Sequence, residues 1–349
     1  MLTFFPGPSQ VHAEIEQYLQ DAFKSGILSV SHRSEVFNNL SQETLNLLRF
    51  KLAIPENYTV LYTTSATECW EIISQSLVKM QSVHFSSGSF GDKWFQYAQA
   101  IHPASRKFTL HLNEELHPQY LDVSGDDEIV CITQNETSNG TQIGFETLTA
   151  LRGAFPEKLI ALDCTSSMAG INLPYILGDI WFASVQKCFG LPAGLGLLIL
   201  SPEAVKRAFE IGDKKHYNSV LTMLEHIEKY QTSCTPNVLG IYLLNRVLKD
   251  SPEIEKVDAR LRARMENYIS LFENSELKPL ISNNKVKSTT VLAVEGDPEL
   301  IDGLKSEAKA KGILLGAGYG KWKPGTFRIA NFPAYTDADV ERLRNFFLK

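Results

Sequence analysis

Apolar residues near the start of the chain recur at helical spacing: Val11, Ile15, Tyr18, Leu19 and Ala22, then Leu45, Leu48 and Leu52. Steps of three and four place them on one stripe and predict helices over 11–24 and 41–53. The polar run Ser31-His32-Arg33-Ser34 breaks the pattern between them, and Phe4-Phe5-Pro6-Gly7-Pro8 reads as extended and turn-prone. Beyond Tyr58 the period changes. Short apolar runs at 58–62, 83–85, 107–112, 128–133, 158–162, 180–185 and 195–200 read as strands, with helical stretches at 66–78, 90–101 and 145–153 between them.

Strands alternating with helices at this spacing predict a mostly parallel sheet covered on both faces. From Pro202 the pattern is helical, near 203–210, 216–230, 237–249 and 252–273. A smaller α+β unit closes the chain: strands at 289–294, 313–315 and 326–330, helices at 298–311 and 337–347, and a glycine-rich loop at 316–325. The expected division is a large α/β domain over 12–250 and a small domain over 251–349 that also takes in residues 1–11.

Composition adds little beyond exclusions. The 349 residues are 44% hydrophobic and carry a formal charge of -6 with no long run of either sign, so neither nucleic acid nor a membrane surface is an expected partner. Cys69, Cys131, Cys164, Cys188 and Cys234 are widely spaced and form no Cys-x-x-Cys pair, which points to reduced thiols and a cytoplasmic protein. The opening Met-Leu-Thr-Phe-Phe-Pro-Gly-Pro lacks a basic segment and a long apolar one, so no signal peptide is expected. No His-Glu-x-x-His or paired Cys/His set is present, so no metal is expected. Gly316 to Lys321 lacks the spacing of a nucleotide loop, and Gly194-x-Gly196 opens a strand rather than a helix.

Candidate chemistry gathers at strand ends, where open α/β sheets bind ligands. Lys187 stands at the mouth of the turn between two strongly apolar strands. Either it snorkels into water, or burial holds it ready to lose its proton and act as a nucleophile. Asp163 ends another predicted strand, 24 residues earlier. Thr64-Ser65-Ala66-Thr67 lies between a strand and a helix, where free N–H groups make either a phosphate seat or an ordinary helix cap. A lysine nucleophile opposite a carboxylate, with a phosphate seat and an aromatic at Phe90, is the set that pyridoxal phosphate chemistry needs.

These residues lie within a series of motifs: Phe-Pro-Gly-Pro (5–8), Ser-His-Arg-Ser (31–34), Ser-Gly-Ser-Phe-Gly-Asp-Lys-Trp (87–94), Asn-Glu-Thr-Ser-Asn-Gly (135–140), Asp-Cys-Thr-Ser-Ser (163–167), Ser-Val-Gln-Lys (184–187) and Phe-Arg-Ile-Ala-Asn (327–331). In this order they resemble the class V aminotransferases of the fold-type I pyridoxal-phosphate enzymes over nearly the whole chain. The resemblance implies the fold-type I architecture and a transaminase that acts on amino acids and 2-oxo acids. It implies that Lys187 forms the Schiff base and moves the Cα proton, and that Asp163 pairs with the pyridine N–H. Phe90 would stack on the ring, Thr137 would bond its phenolic oxygen, and Ala66, Thr67 and Gln186 would hold the phosphate. Thr235 would reach that phosphate from the other subunit, which implies a homodimer with the site at the interface. Arg328 would clamp the substrate α-carboxylate, and His32, Arg33 and Lys321 would meet its distal acid group.

Within the family, the opening, Ser-His-Arg-Ser and the Arg-x-x-x-aromatic ending resemble the branch that transaminates phosphoserine with 2-oxoglutarate in serine biosynthesis. The spacing from Lys187 to Gly194, and Phe-Arg-Ile at 327–329, resemble the alanine–glyoxylate or serine–pyruvate branch. Lys321-Trp322 stands where a His-Arg pair is typical, and Cys234 where Asn is expected beside Thr235. A cysteine desulfurase would carry His at the position of Gln186, and a catalytically silent relative would have lost part of the Lys187, Asp163 and Arg328 set.

Overall fold

The strands form where β-branched and aromatic residues alternate between two buried faces. In Ile180–Ser184, Ile180 and Phe182 point to one apolar core while Trp181 and Ala183 point to the other. In Gly196–Leu200, Leu198 and Leu200 share the first core and Leu197 and Ile199 the second. A computed structural model describes residues 1–348. Among the described residues, seven strands hydrogen-bond in the order Thr59–Thr63, Gly196–Leu200, Ile180–Ser184, Leu159–Asp163, Asp127–Thr133, Gln81–Ser86 and Arg106–Thr109. Gly196–Leu200 runs antiparallel to both neighbours and the remaining pairs are parallel. This is the mostly parallel, two-faced sheet that the alternation predicts.

A second sheet joins Leu2–Phe4, Ile313–Ala317, Thr326–Ala330, Val291–Glu295 and Lys278–Pro279 in that order, with its own apolar core of Phe4, Leu315, Phe327 and Ile329. Leu2–Phe4 pairs parallel to Ile313–Ala317, so the first residues of the chain complete a sheet built mainly from the last seventy or so. Three residues carry too short a pattern for sequence to mark them as a strand. Between the sheets, Asn135–Glu136 and Thr141–Gln142 form a hairpin that carries the Asn-Glu-Thr-Ser-Asn-Gly motif. Gly140 adopts φ 77° at its tip, and a Cβ there would stand 2.8 Å from the Val291 carbonyl.

Several helix bounds differ from those predicted. The helix expected over 41–53 spans Glu35–Leu52, because Ser34 caps it by accepting from Phe37 N at 3.3 Å and fully buried Phe37 anchors its first turn. The stretch 216–230 yields a helix only over Val220–Ile227, capped by Ser219, while Asp213 binds His216 in a polar loop ahead of it. The helix predicted over 11–24 starts at Ile15. No helix among the described residues is long and apolar enough to cross a membrane.

Candidate active site

Lys187 follows the strand Ile180–Ser184 and lies on the loop that returns to Gly196–Leu200. The turn is closed by Gly190, φ 63°, whose N–H donates to the Lys187 carbonyl at 2.9 Å. The proline-bounded opening segment packs on it from outside. Ser9 N donates to Gln186 O at 3.0 Å, and Gly7, φ 149°, leaves room where a Cβ would sit 3.0 Å from Lys187 Cε. Only 6% of Lys187 is exposed, and its Nζ donates to Thr137 Oγ1 at 2.7 Å and stands 5.0 Å from the Phe90 ring centroid. Burial pulls its pKa down to about 8, with the carboxylates of Asp163 and Glu136 opposing the fall. The snorkelling alternative is thereby removed: the amine points inward.

Asp163 ends the strand Leu159–Asp163 and is buried. One oxygen accepts from Thr165 N (2.9 Å) and Thr165 Oγ1 (2.6 Å), the other from Trp70 Nε1 (3.3 Å). Burial pushes its carboxyl upward, while the Thr165 donors and the charge of Lys187 pull it back. All its bonded partners are neutral, and it forms no ion pair among the described residues.

Lys187 and Asp163 line one cavity of about 170 Å³ at the carboxyl edge of the central sheet, together with Ala66, Thr67, Phe90, Thr137 and Gln186. The helix Ala66–Leu77 starts there. The cap is present: Ser65 caps the helix by accepting from Glu68 N at 3.1 Å, while Ala66 N, at the cavity, donates to Ser184 Oγ at 2.6 Å. A larger cavity of about 240 Å³, between His12, Tyr18, Lys51, Asp250 and Arg260, holds neither Lys187 nor Asp163 and so is not the catalytic candidate.

Arg328 comes from the second sheet. Its Nη1 donates to Thr137 O and its Nε to Ala317 O, both at 2.8 Å, and its Nη2 has no hydrogen-bond partner among the described residues. Burial lowers its pKa to about 10, and the charge of Glu136 opposes this. Thr137 therefore touches both cations, one through its hydroxyl and one through its carbonyl.

Arg328 joins this cavity only through Thr137 and does not itself line it, and the remaining expected residues are not brought to it within one chain. Thr235 lines a separate cavity of about 90 Å³ with Thr64, Glu68 and Gln231, and Arg33 Nη1 donates to Gln231 Oε1 at 2.8 Å. His32 is half-buried beside Arg33, and burial lowers its pKa. Lys321 is exposed, with its Nζ 4.9 Å over the Trp322 ring, and does not line the Lys187 cavity.

Sequence reasoning assigned no role to Glu136, Tyr319, Trp70, Thr165 or Ser184. Glu136 is fully buried beside Thr137; burial pushes its carboxyl up and the N–H groups of Ser138 and Gly91 pull it back. Tyr319 stacks on Phe90 with centroids 5.1 Å apart, its ring 5.4 Å from Arg328 Cζ and its hydroxyl 2.8 Å from Lys93 Nζ. Glu136, Thr165 and Ser184 lie inside motifs quoted above. Nothing in the spacing of Tyr319 places it beside Phe90, which lies more than two hundred residues away in sequence.

The family model for "Aminotransferase class-V" matches residues 6–320. A phosphoserine aminotransferase of Corynebacterium glutamicum (strain R) is 26% identical over 350 residues, covering 97% of this chain and 91% of that protein. Among solved structures, a phosphoserine aminotransferase SerC from Cytophaga hutchinsonii superposes with a TM-score of 0.93 at 30% identity, covering 99% of this chain and 98% of the other. An aspartate aminotransferase of subgroup IV from Thermus thermophilus shares the fold at 20% identity, TM-score 0.87, covering 99% and 98%.

Proposed function

Since the chain belongs to the class-V aminotransferases, which are pyridoxal-phosphate transaminases, we propose that it transfers the amino group of glutamate to 3-phosphohydroxypyruvate, the phosphoserine:2-oxoglutarate reaction of serine biosynthesis. The observation that carries the catalytic part is the buried amine of Lys187, bonded to Thr137 in the same cavity as a carboxylate that has no cationic partner. That cavity fits the cofactor. A buried carboxylate without a counter-ion suits a protonated ring nitrogen, a helix N-terminus suits a phosphate, and Phe90 offers a flat face. When bound, pyridoxal phosphate supplies an electron sink for the pair left as the substrate Cα–H bond breaks.

In this reading Lys187, with its lowered pKa, would be the amine that holds the cofactor and the base that takes up and returns the Cα proton. Asp163 would keep a ring nitrogen protonated, Thr137, which bonds Lys187, would hold the phenolic oxygen, and Ala66, Thr67 and Gln186, which line the same cavity, would hold the phosphate. Arg328, with Nη2 free, receives the α-carboxylate.

Two copies complete the site. Thr235 lines a cavity apart from Lys187 and Arg33 bonds Gln231 in its wall, so the contacts expected of Thr235, His32 and Arg33 need the second subunit. The division into domains at about residue 250 and a cytoplasmic location, in keeping with five free thiols, belong to the same reading. The phosphoserine substrate is supported by the two phosphoserine aminotransferases compared above and by Ser-His-Arg-Ser. An alanine–glyoxylate or serine–pyruvate activity is the second reading, and Lys321-Trp322 in place of His-Arg, with Lys321 exposed and Trp322 half-buried, favours it.

Turnover of phosphoserine, alanine and serine, each with 2-oxoglutarate, separates the two. Phosphoserine is expected to have the highest kcat/KM, and Arg33→Ala is expected to lower that value while leaving alanine turnover near wild type. A preference for alanine, or an equal loss on both substrates, counts against the phosphoserine reading. Arg328→Ala is expected to raise KM for every amino acid, equivalent to about 2–5 kcal/mol for a truncated buried charge pair. An unchanged KM would remove it as the clamp.

A further inference from the structure

We propose that Glu136 is a positioning residue for this transamination: its carboxylate fixes the first turn of the helix Ser89–Ile101, and so the Phe90 ring, beside the Thr137 that bonds both Lys187 and Arg328. The inference rests on Lys187 being the amine that holds the cofactor.

A helix begins with N–H groups that have no partner inside it. This one begins after Gly88, which has no side chain to cap with. Its first donors are taken up by the hairpin instead. Ser89 N donates to Ser138 Oγ, and Phe90 N and Gly91 N both donate to Glu136 Oε2, each at 3.1 Å. The other carboxylate oxygen accepts from Ser138 N at 2.9 Å. Both oxygens accept, and an anion at the positive end of a helix is favoured, so the ionised form fits the site. Space for it depends on glycine at 88, where a Cβ would stand 2.5 Å from Glu136 Cγ.

The position is what makes this more than a cap. Phe90, whose backbone Glu136 holds, is 5.0 Å by its ring centroid from Lys187 Nζ. Thr137, the next residue, bonds Lys187 through its hydroxyl and Arg328 through its carbonyl. Glu136 is thus a second buried anion beside Asp163 in a site with two buried cations, and its charge raises the proton affinity of both. Glutamine in its place would keep the shape but remove the charge and turn an N–H toward the N–H of the hairpin or the helix.

The test uses folded full-length protein without cofactor. Reductive methylation by formaldehyde over a pH series, read at Lys187 by mass spectrometry, gives the pH at which the amine is half-reactive. Glu136→Gln is expected to lower that pH by about one unit, as for loss of a nearby opposite charge. It is also expected to weaken binding of pyridoxal phosphate about tenfold. Gly88→Ala, which displaces the carboxylate without altering its charge, is expected to move both readouts the same way and decides the matter if Glu136→Gln does not fold. Ser138→Ala leaves the charge in place and is expected not to move the Lys187 titration. An unmoved titration in folded Glu136→Gln, or in Gly88→Ala where that is the deciding variant, overturns the proposal. Labelling needs no turnover, so its result is independent of the substrate. A wild-type chain that attaches no pyridoxal phosphate to Lys187 would sink the transaminase reading instead.

Discussion

Lys187→Ala is expected to abolish the covalent hold on pyridoxal phosphate and to lower kcat by on the order of 10⁴ or more, because in the proposed reading one amine serves as both nucleophile and proton carrier. Borohydride treatment of the wild type with cofactor should leave a pyridoxyl group on the peptide containing Lys187, and the variant should show none there. A label on another lysine would remove Lys187 from its role. The same residue gives a second expectation that needs no cofactor. In the folded chain its pKa is about 8, against 10.5 for the free side chain. Between those values the unfolded chain binds more protons, so wild-type stability should rise with pH across that window. Below pH 8 the buried ammonium costs its full amount, at most about 3 kcal/mol for a shift of this size. Lys187→Met should therefore unfold at higher temperature than wild type at pH 7, with the gap closing toward pH 10.5. A variant equally stable or less stable at pH 7 would show that the amine is not strained by burial.

That strain is legible in part in the sequence. A single cation between two apolar strands is rare enough to single out, and Asp163, Phe90 and Thr137 fall at strand or helix ends that an alternating α/β pattern brings to one edge. What the pattern could not carry is contact between distant segments. Leu2–Phe4 is a strand only because Ile313–Ala317 offers it an edge. Tyr319 and Phe90 meet through folding of a loop whose glycines have no periodicity to read. Glu136 looked like one polar residue in a polar loop; only the absence of a side chain at Gly88 and the free N–H groups after it explain why a carboxylate is buried there. Thr235, His32 and Arg33 do not reach the cavity within one chain, and no pattern along the sequence carries the distance between them and Lys187.

Asp163→Asn is the other large effect. The carboxylate has three neutral donors, two from Thr165 and one from Trp70, divided over its two oxygens. Asparagine offers one acceptor oxygen, so its amide must face either Thr165 or the indole N–H, and one buried donor is left without a partner. The deeper loss is electrostatic. In the proposed reading Asp163 is a negative charge placed in advance in the cavity, where it would hold a proton on the ring nitrogen while Lys187 carries the Cα proton. It is also a leading influence that keeps the Lys187 pKa from falling further. The variant should fold, because it exchanges a buried charge for a neutral group of the same size. Its kcat should drop by on the order of 10³, the scale for losing a preorganised charge at the reacting centre. The acidic limb of its pH–rate profile should move to lower pH, since Lys187 then loses its proton more readily. Single-turnover measurement with glutamate across pH separates these effects. A rate within about threefold of wild type, with the limb unmoved, would mean that this carboxylate is not the partner of the ring nitrogen.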